Sequence, residues 1–533
     1  MKRRSAAKFA VVAAATAAAA RSLPASAAPA PAAAGPADVV GGWSDPSPAG
    51  APADAFDPLE DGTPRRPTGT VETPGPSRTR AALTPNALPF SFKMFGYRPV
   101  DVPEQYRPWR SYRVSRVDKN LHDETGVRMF EWDGKIWNHP VAQAQWGLQN
   151  LSQYRVTDDD QFFLERACKQ ADRLIDTHVL LRNAWYFPYR FNFALHEKVI
   201  LPAPWYSGMA QGEIVSLFSQ LAQMEQLPDE DRARYRTAAD GAFAGLLLGP
   251  EGRPWVVHRD RDRYLWLQEY PVEPEANSDY TYNGHLFATL GLWDYARMTG
   301  SELAADLFDG AVTTAVRYAS VVRHPGWYSG YCAPHRPPHP KYHLIHISLN
   351  LQLHWLSGRP EPAKVADIFT EDYPPHAFKA TVMLGAGTHT AYKFSSTGAI
   401  TATKKMTFAR ASSASADSRI RIKGRGIHIR ISNGAAAGWY VPESYDRVYL
   451  KGQHVAAEFR PHRTAVLPGA RRYPGYRYDA DGNVLGSKTV SLTRDSAVQF
   501  DRRAVIRGRT HLRVTTGAFA GYWIAASAVR TDG

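Results

Sequence analysis

Three patterns of apolar and polar positions follow one another along the chain. Over 87–140, Phe90, Phe92, Phe95, Tyr97, Tyr106, Trp109 and Tyr112 stand close together without helical spacing. The run Val127-Arg128-Met129-Phe130-Glu131-Trp132 partly alternates, and Asp133-Gly134 is a turn signal before Lys135-Ile136-Trp137. Together they predict a β-hairpin segment. Over 141–375 the period lengthens. Phe162, Phe163, Ala167, Ala171 and Leu174 fall at helical spacing behind acidic residues, predicting a helix over 158–176. Further helices are predicted over 206–226, 230–248, 280–298, 302–323, 342–356 and 362–369. Amphipathic helices joined by alternating short and long loops suggest an α/α toroid in the form of an incomplete barrel, with a plain helical bundle as the alternative. Over 376–533 short β-rich runs with turns take over. The fold class expected is therefore multidomain α+β.

The β-rich region repeats itself. Tyr392, Gly398, Lys404, Arg410, Asp417 and Gly424 recur 84 residues later as Tyr476, Gly482, Lys488, Arg494, Asp501 and Gly508. After one deletion, Arg430, Gly434 and Gly438 recur as Arg513, Gly517 and Gly521, and the aromatic pairs Trp439-Tyr440 and Tyr522-Trp523 follow. Two units are too few for a solenoid, so a tandem β module over about 376–455 and 456–533 is expected.

Charge divides along the same line. The 533 residues carry a formal +13, but residues 376–533 hold 25 Lys and Arg against 9 Asp and Glu, a formal +16, and the rest is −3. The basic character belongs to the repeats, which points to attachment to a polyanion or cell wall rather than to the helical region's ligand. Cys168 and Cys332 are the only cysteines, which excludes a disulfide scaffold and a cysteine-rich metal centre.

The N-terminus reads as an export signal over 1–27. Lys2, Arg3 and Arg4 precede a short apolar stretch, and Ala25-Ser26-Ala27 resembles a cleavage site. Secretion by the general route is expected, with Arg3-Arg4 leaving a twin-arginine route open. Residues 28–86, rich in Ala, Pro, Gly and Thr, read as a disordered linker. No membrane span and no nucleic-acid motif is evident.

The helical region concentrates polar-aromatic clusters: Pro204-Trp205-Tyr206-Ser207-Gly208-Met209-Ala210-Gln211-Gly212, Gln268-Glu269-Tyr270-Pro271, Tyr282-Asn283-Gly284-His285, Gly326-Trp327-Tyr328-Ser329 and Tyr342-His343-Leu344-Ile345-His346. In this order, and with Gln143-Ala144-Gln145-Trp146-Gly147-Leu148 before them, they resemble the D-glucuronyl C5-epimerase family, which acts on heparosan-type chains in heparan sulfate biosynthesis. The resemblance covers roughly residues 120–360. It implies an isomerase without cofactor that converts D-glucuronic to L-iduronic acid in an acidic polysaccharide, and a homodimer.

Epimerisation at C5 removes a proton α to a carboxylate and returns one from the opposite face. Two proton-transfer groups must flank the ring, and the carboxylate charge must be offset. The resemblance places Glu269, Tyr270, Tyr328 and Tyr342 in catalytic positions, with Glu269 and Tyr342 as the opposed pair. Gln145, Tyr206, Gln211, Asn283, His335, Arg336 and His346 are the substrate-binding candidates. The sequence departs from the family at Tyr331, where an arginine is usual, so the carboxylate clamp falls to His335, Arg336 or His339. His343 and His346 share a helix face but lack a third ligand at convincing spacing, so no metal is expected. Two other readings stand beside this one: a uronate polysaccharide lyase on the same toroid, and a non-catalytic wall- or glycan-binding protein.

Overall fold

The computed structural model describes residues 78–79, 88, 90–118, 120–157, 160–195, 199–395, 398–422 and 424–531. The expected leader and most of the expected linker lie outside them. Within the linker range, Arg78–Thr79 pairs antiparallel with Lys93–Met94. Among the described residues no helix is long and apolar enough to cross a membrane.

The hairpin forms from β1 (Met129–Trp132) and β2 (Lys135–Asn138). Its turn residues Asp133 and Gly134 both adopt positive φ, 49° and 72°, as a two-residue turn matching strand twist requires. Of the aromatic run before it, only Lys93–Met94 pairs as a strand, with Arg78–Thr79. The rest is a strap laid across the helices: Phe95 N–H donates to Asp309 Oδ1 at 2.9 Å and Val100 N–H to the Leu356 carbonyl at 2.9 Å.

Among the described residues eight α-helices follow: α1 (Pro140–Tyr154), α2 (Gln161–Thr177), α3 (Gly208–Leu221), α4 (Asp229–Gly245), α5 (Tyr282–Thr299), α6 (Glu302–Val322), α7 (Pro340–Ser357) and α8 (Pro360–Asp372). Their starts follow local chemistry. Asp160, Ser207 and Ser301 accept backbone N–H bonds from the first turns of α2, α3 and α6. Pro140 and Pro340 open α1 and α7 behind histidine caps.

Four helices line up side by side, α1 against α3, α3 against α5, and α5 against α7; α2, α4, α6 and α8 each cover the helix before them. The result is a two-layered arc of helical hairpins. α3, in the inner row, is buried at every residue. At the α3–α5 crossing Gly212 and Gly291 let the backbones touch: a Cβ at Gly291 would lie 2.8 Å from the Gly212 carbonyl carbon.

Three short hairpins interrupt the helical region, where the sequence pattern predicts loops: β3–β4 (Val179–Leu181, Ala184–Tyr186), β5–β6 (Phe193–Leu195, Val199–Leu201) and β7–β8 (Val257–Arg259, Leu265–Leu267). The last delivers Glu269.

Two antiparallel seven-stranded sheets end the chain. The first contains β9 (Ala377–Leu384), β10 (Gly387–Phe394), β11 (Ile400–Phe408), β12 (Ser412–Ile422), β13 (Gly426–Ile431), β14 (Tyr440–Pro442) and β15 (Val448–Leu450). The second contains β16 (Gln453–Leu467), β17 (Arg471–Tyr478), β18 (Val484–Leu492), β19 (Ser496–Ile506), β20 (Arg509–Val514), β21 (Trp523–Ala525) and β22 (Arg530–Thr531). The spatial orders are β11-β10-β14-β13-β12-β9-β15 and β18-β17-β21-β20-β19-β16-β22, one order shifted by a sheet. Arg430 pairs with Asp417 at 2.7 Å in the first and Arg513 with Asp501 at 2.5 Å in the second. Gly434 and Gly517 both sit at φ +67°, a conformation glycine adopts without Cβ strain.

The sheets differ in what they pack on. The second shares the helices' core through Phe459, Leu467 and Phe500, and Trp355 Nε1 donates to the Glu458 carbonyl at 2.9 Å. Asp367 of α8 pairs with Arg463 at 2.5 Å and also with Arg503. The first sheet has a core of its own around Val382, Ile429, Ile431 and Val441. It meets the helical region at Trp327, Tyr373, Ile420, Ile422 and Tyr440. The side chains of Arg463 and Arg503 are only 2% and 9% exposed, so the Asp367→Asn substitution removes a carboxylate that two buried cations share. It is expected to cost about 2 kcal/mol, read as a lower urea midpoint at unchanged m-value.

Candidate active site

Glu269 is placed by backbone contacts and held in a space cleared of side chains. Gln268 N–H donates to the Val256 carbonyl at 2.8 Å, and its carbonyl accepts from Gly208 N–H at 2.6 Å. Ser207 caps α3 beside it, and a Cβ at Gly208 would strike the Gln268 carbonyl oxygen at 2.6 Å. On the other side α5 begins with Asn283-Gly284, where a Cβ at Gly284 would lie 2.7 Å from Glu269 Cβ. One motif glycine thus makes room for the Gln268 backbone and the other for the Glu269 side chain. Tyr270 beds into an aromatic wall: its ring stacks on Phe193 at 5.5 Å and meets Trp205 at 5.9 Å. Trp205 itself stacks on Tyr189 at 3.8 Å.

Tyr331 closes the cluster. Its hydroxyl lies 3.4 Å from Glu269 Oε2 and 3.4 Å from the Tyr270 hydroxyl. Its ring lies against Tyr342 at 4.5 Å, and Tyr342 in turn faces His339 at 4.8 Å. The Lys341 ammonium stands 5.6 Å from the Tyr342 ring centre.

The electrostatics follow from burial. Desolvation pushes the Glu269 carboxyl up to about 8, assisted by Asp279 and opposed by hydrogen bonds from Tyr270 and Tyr331. Burial, with the nearby Glu269 charge, also raises the hydroxyls of Tyr270, Tyr331 and Tyr342, so these tyrosines hold their protons at neutral pH. Burial lowers Lys341 to about 8. The arrangement is one carboxyl poised between its two states, a bank of neutral phenols and a cation beside them.

Of the four catalytic candidates, Glu269, Tyr270 and Tyr342 come together. Tyr328 does not join them: it packs on Tyr373 at 4.2 Å and contacts the patch of Ile420 and Ile422 where the helices meet the first sheet. Tyr331 and Lys341 join the cluster without a sequence signal for a catalytic place: Tyr331 stands out only as a departure from the family's arginine, and Lys341 has no distinguishing spacing.

The binding candidates scatter. Gln145 donates to the fully buried Glu213 at 2.8 Å, and burial holds Glu213 well above the carboxylate range. Asn283 carries a buried Oδ1 with no partner among the described residues. Tyr206 stands edge-on to Tyr186 at 5.5 Å. Gln211 bonds the carbonyls of Trp185 and Ala242, both at 2.7 Å, tying α3 to β4 and α4. Arg336 donates to the Arg323 carbonyl at 2.8 Å, and His335 turns onto Asp279 at 3.0 Å. His346 and His343 share Ser329, whose hydroxyl lies 2.8 and 3.0 Å from their Nδ1 atoms. His343 also bonds the Tyr373 carbonyl at 2.8 Å. The histidine pair therefore fastens the loop carrying Ser329 to α7 and α8. A polar cavity of about 340 Å³, lined by Arg107, Arg110, Arg155, Asp294 and Arg297 among others, lies some ten residues along α5 from Gly284, about 15 Å away, and is separate from this cluster.

Residues 182–371 match the family described as D-glucuronyl C5-epimerase C-terminus. Within the helical region the chain is thus similar to the D-glucuronyl C5-epimerase family. The matched segment contains Glu269, Tyr270, Tyr331, Lys341 and Tyr342, and leaves both seven-stranded sheets outside. The D-glucuronyl C5-epimerase of Caenorhabditis elegans is 28% identical over 138 residues, 26% of this chain. The match spans 20% of that relative's length. A solved structure, the cellobiose 2-epimerase of Spirochaeta thermophila, is 17% identical with a TM-score of 0.34, covering 47% of this chain and 63% of that one.

Proposed function

We propose that this protein inverts C5 of D-glucuronic acid residues in a heparosan-like acidic polysaccharide. The observation that carries the reading is the convergence of Glu269, Tyr270, Tyr331 and Tyr342, with Glu269 buried and raised to about 8. Ionised Glu269 takes the C5 proton. Lys341 offsets the charge that develops on the sugar carboxylate. Tyr342, kept protonated by burial, returns a proton from the other face. Tyr331, hydrogen-bonded to Glu269 and ring to ring with Tyr342, stands on the path by which the proton returns to Tyr342 and the site resets. Tyr270 orients Glu269.

Two pH limbs follow. Glu269 must be ionised and Lys341 protonated, and burial brings both to about 8. The rate of C5 exchange is therefore expected to peak near pH 8 and to fall about tenfold per unit on the acid side, measured between pH 5.5 and 9.5. Tyr331→Phe removes the relay hydroxyl and is expected to lower the rate about 10²-fold. Tyr328→Phe, outside the cluster, is expected to leave it nearly unchanged. Equal losses in the two variants would remove Tyr331 from the mechanism.

The deciding experiment incubates the protein with heparosan in deuterated water and reads deuterium at C5. Correctly folded protein that incorporates none with any glucuronan defeats the proposal. Ultraviolet absorbance from an unsaturated uronate would assign a lyase instead. In the same reading the arc of helical hairpins is an incomplete α/α toroid and the two sheets are a duplicated module. The protein is exported, acts as a homodimer, and is held on wall or polyanion by its basic sheets.

A further inference from the structure

We infer that Asp279, Cys332 and His335 form a binding site for a zinc-type divalent cation. Among the described residues, one ligand atom from each of the three lies within 4.8 Å of the others. His335 Nδ1 is 3.0 Å from Asp279 Oδ1 and 3.5 Å from Cys332 Sγ. Zinc bonds of ordinary length at a tetrahedral angle require separations of about 3.3 Å between nitrogen and oxygen and about 3.5 Å between nitrogen and sulfur. The three side chains therefore need only small shifts to close on one ion.

The backbone holds them there. Thr281 and Cys332 form an antiparallel bridge, Ala333 N–H donates to the Tyr280 carbonyl at 3.2 Å, and Arg336 N–H closes a turn on the Cys332 carbonyl at 3.0 Å. That turn swings His335 back over Cys332 and Asp279. Asp279 and Cys332 are buried while His335 is exposed, which gives the ion an entry path past the imidazole. One thiolate, one imidazole and one carboxylate suit zinc or cobalt rather than calcium or magnesium, and leave a fourth position for water. Binding displaces the Cys332 proton into solvent.

The site has a purpose in the fold. Cys332 directly follows Tyr331, and Tyr282 N–H donates to the Tyr331 carbonyl at 3.0 Å. An ion joining Cys332 and His335 to Asp279 pins the loop that presents Tyr331 to Glu269. The three ligands are positioning residues, and the inference stands whether or not the proposed epimerisation does.

The test titrates the full chain, stripped with a chelator, with cobalt(II). One equivalent is expected to give a thiolate-to-cobalt charge-transfer band in the near ultraviolet, bleached by zinc. Cys332→Ser abolishes the band, and Cys168→Ser keeps it. His335→Ala, at an exposed side chain that leaves folding intact, weakens cobalt binding at least about tenfold. Zinc raises the melting temperature of the wild type but not of His335→Ala. The inference is overturned if folded protein gives no band, if the band survives Cys332→Ser, or if His335→Ala binds as the wild type does. Should Cys332→Ser fail to fold, the His335→Ala result decides.

Discussion

Glu269→Gln is expected to lower C5 exchange about 10³-fold while the protein folds as before. Glutamine matches the carboxyl in shape and can still accept from Tyr331, but it cannot take a proton from carbon. The stability response distinguishes this from general damage. The folded carboxyl sits at about 8 against an ordinary 4.5, so the folded state binds a proton that the unfolded state releases between those two values. Stability from this group is fully present below pH 4.5 and declines as pH rises to 8, at most by roughly 1.4 kcal/mol per unit. The variant has nothing to ionise. Its melting temperature should rise relative to the wild type as pH increases through that window, while its activity stays low throughout. A variant that loses activity and also melts earlier at pH 8 would point to a structural role instead. One that keeps a tenth of the wild-type rate would remove Glu269 as the base.

Gly291→Val is expected to prevent folded protein from accumulating. Overpacking commonly costs about 1–3 kcal/mol because neighbouring side chains can turn aside. Here the obstacle is backbone. The new Cβ meets the carbonyl of Gly212, and a Cβ at Gly212 would in turn lie 2.7 Å from Ala288 Cβ. Nothing at that crossing has a rotatable bond to yield. Relief requires α3 and α5 to part, and α3 and α5 are the walls that clear space for Gln268 and Glu269 through Gly208 and Gly284. Soluble yield, far-ultraviolet dichroism and a cooperative melt check the outcome. Gly291→Ala should fold partly and melt well below the wild type. A valine variant with the wild-type melt would show that the two backbones are not in contact.

Every α-helix but α1 is legible in the sequence, the outer ones because each buries one face and the inner ones from their apolar runs and motif starts. α2 shows its apolar period plainly, and its predicted range, 158–176, lies close to Gln161–Thr177. α1 escaped notice as a helix. It is buried nearly all round and carries Gln143, Gln145, Gln149, Asn150 and Ser152 among its buried residues, so polarity along it reports nothing about exposure. The short hairpins were missed because three-residue strands give no pattern of their own. The aromatic run over 90–112 reads as part of a β-hairpin segment, but apart from Lys93–Met94 its backbone bonds go to helices, which leave no alternating pattern. At the site, motif order singles out Glu269, Tyr270 and Tyr342, which lie close together in the structure. Tyr328 and Tyr331 are three residues apart in one loop, and only the turn of that loop decides which reaches the carboxyl.

The unequal seating of the two seven-stranded sheets bears on which substitutions each tolerates. Substitutions on the inner face of the second sheet are felt by α7 and α8, because Phe459 and Phe500 belong to the same core. Those of the first are felt mainly within itself. The two inner faces therefore answer to different packing demands. What neither demand touches is each sheet's internal geometry: the turn glycines and the Asp417–Arg430 and Asp501–Arg513 pairs. Those are the positions at which the two sheets match most closely.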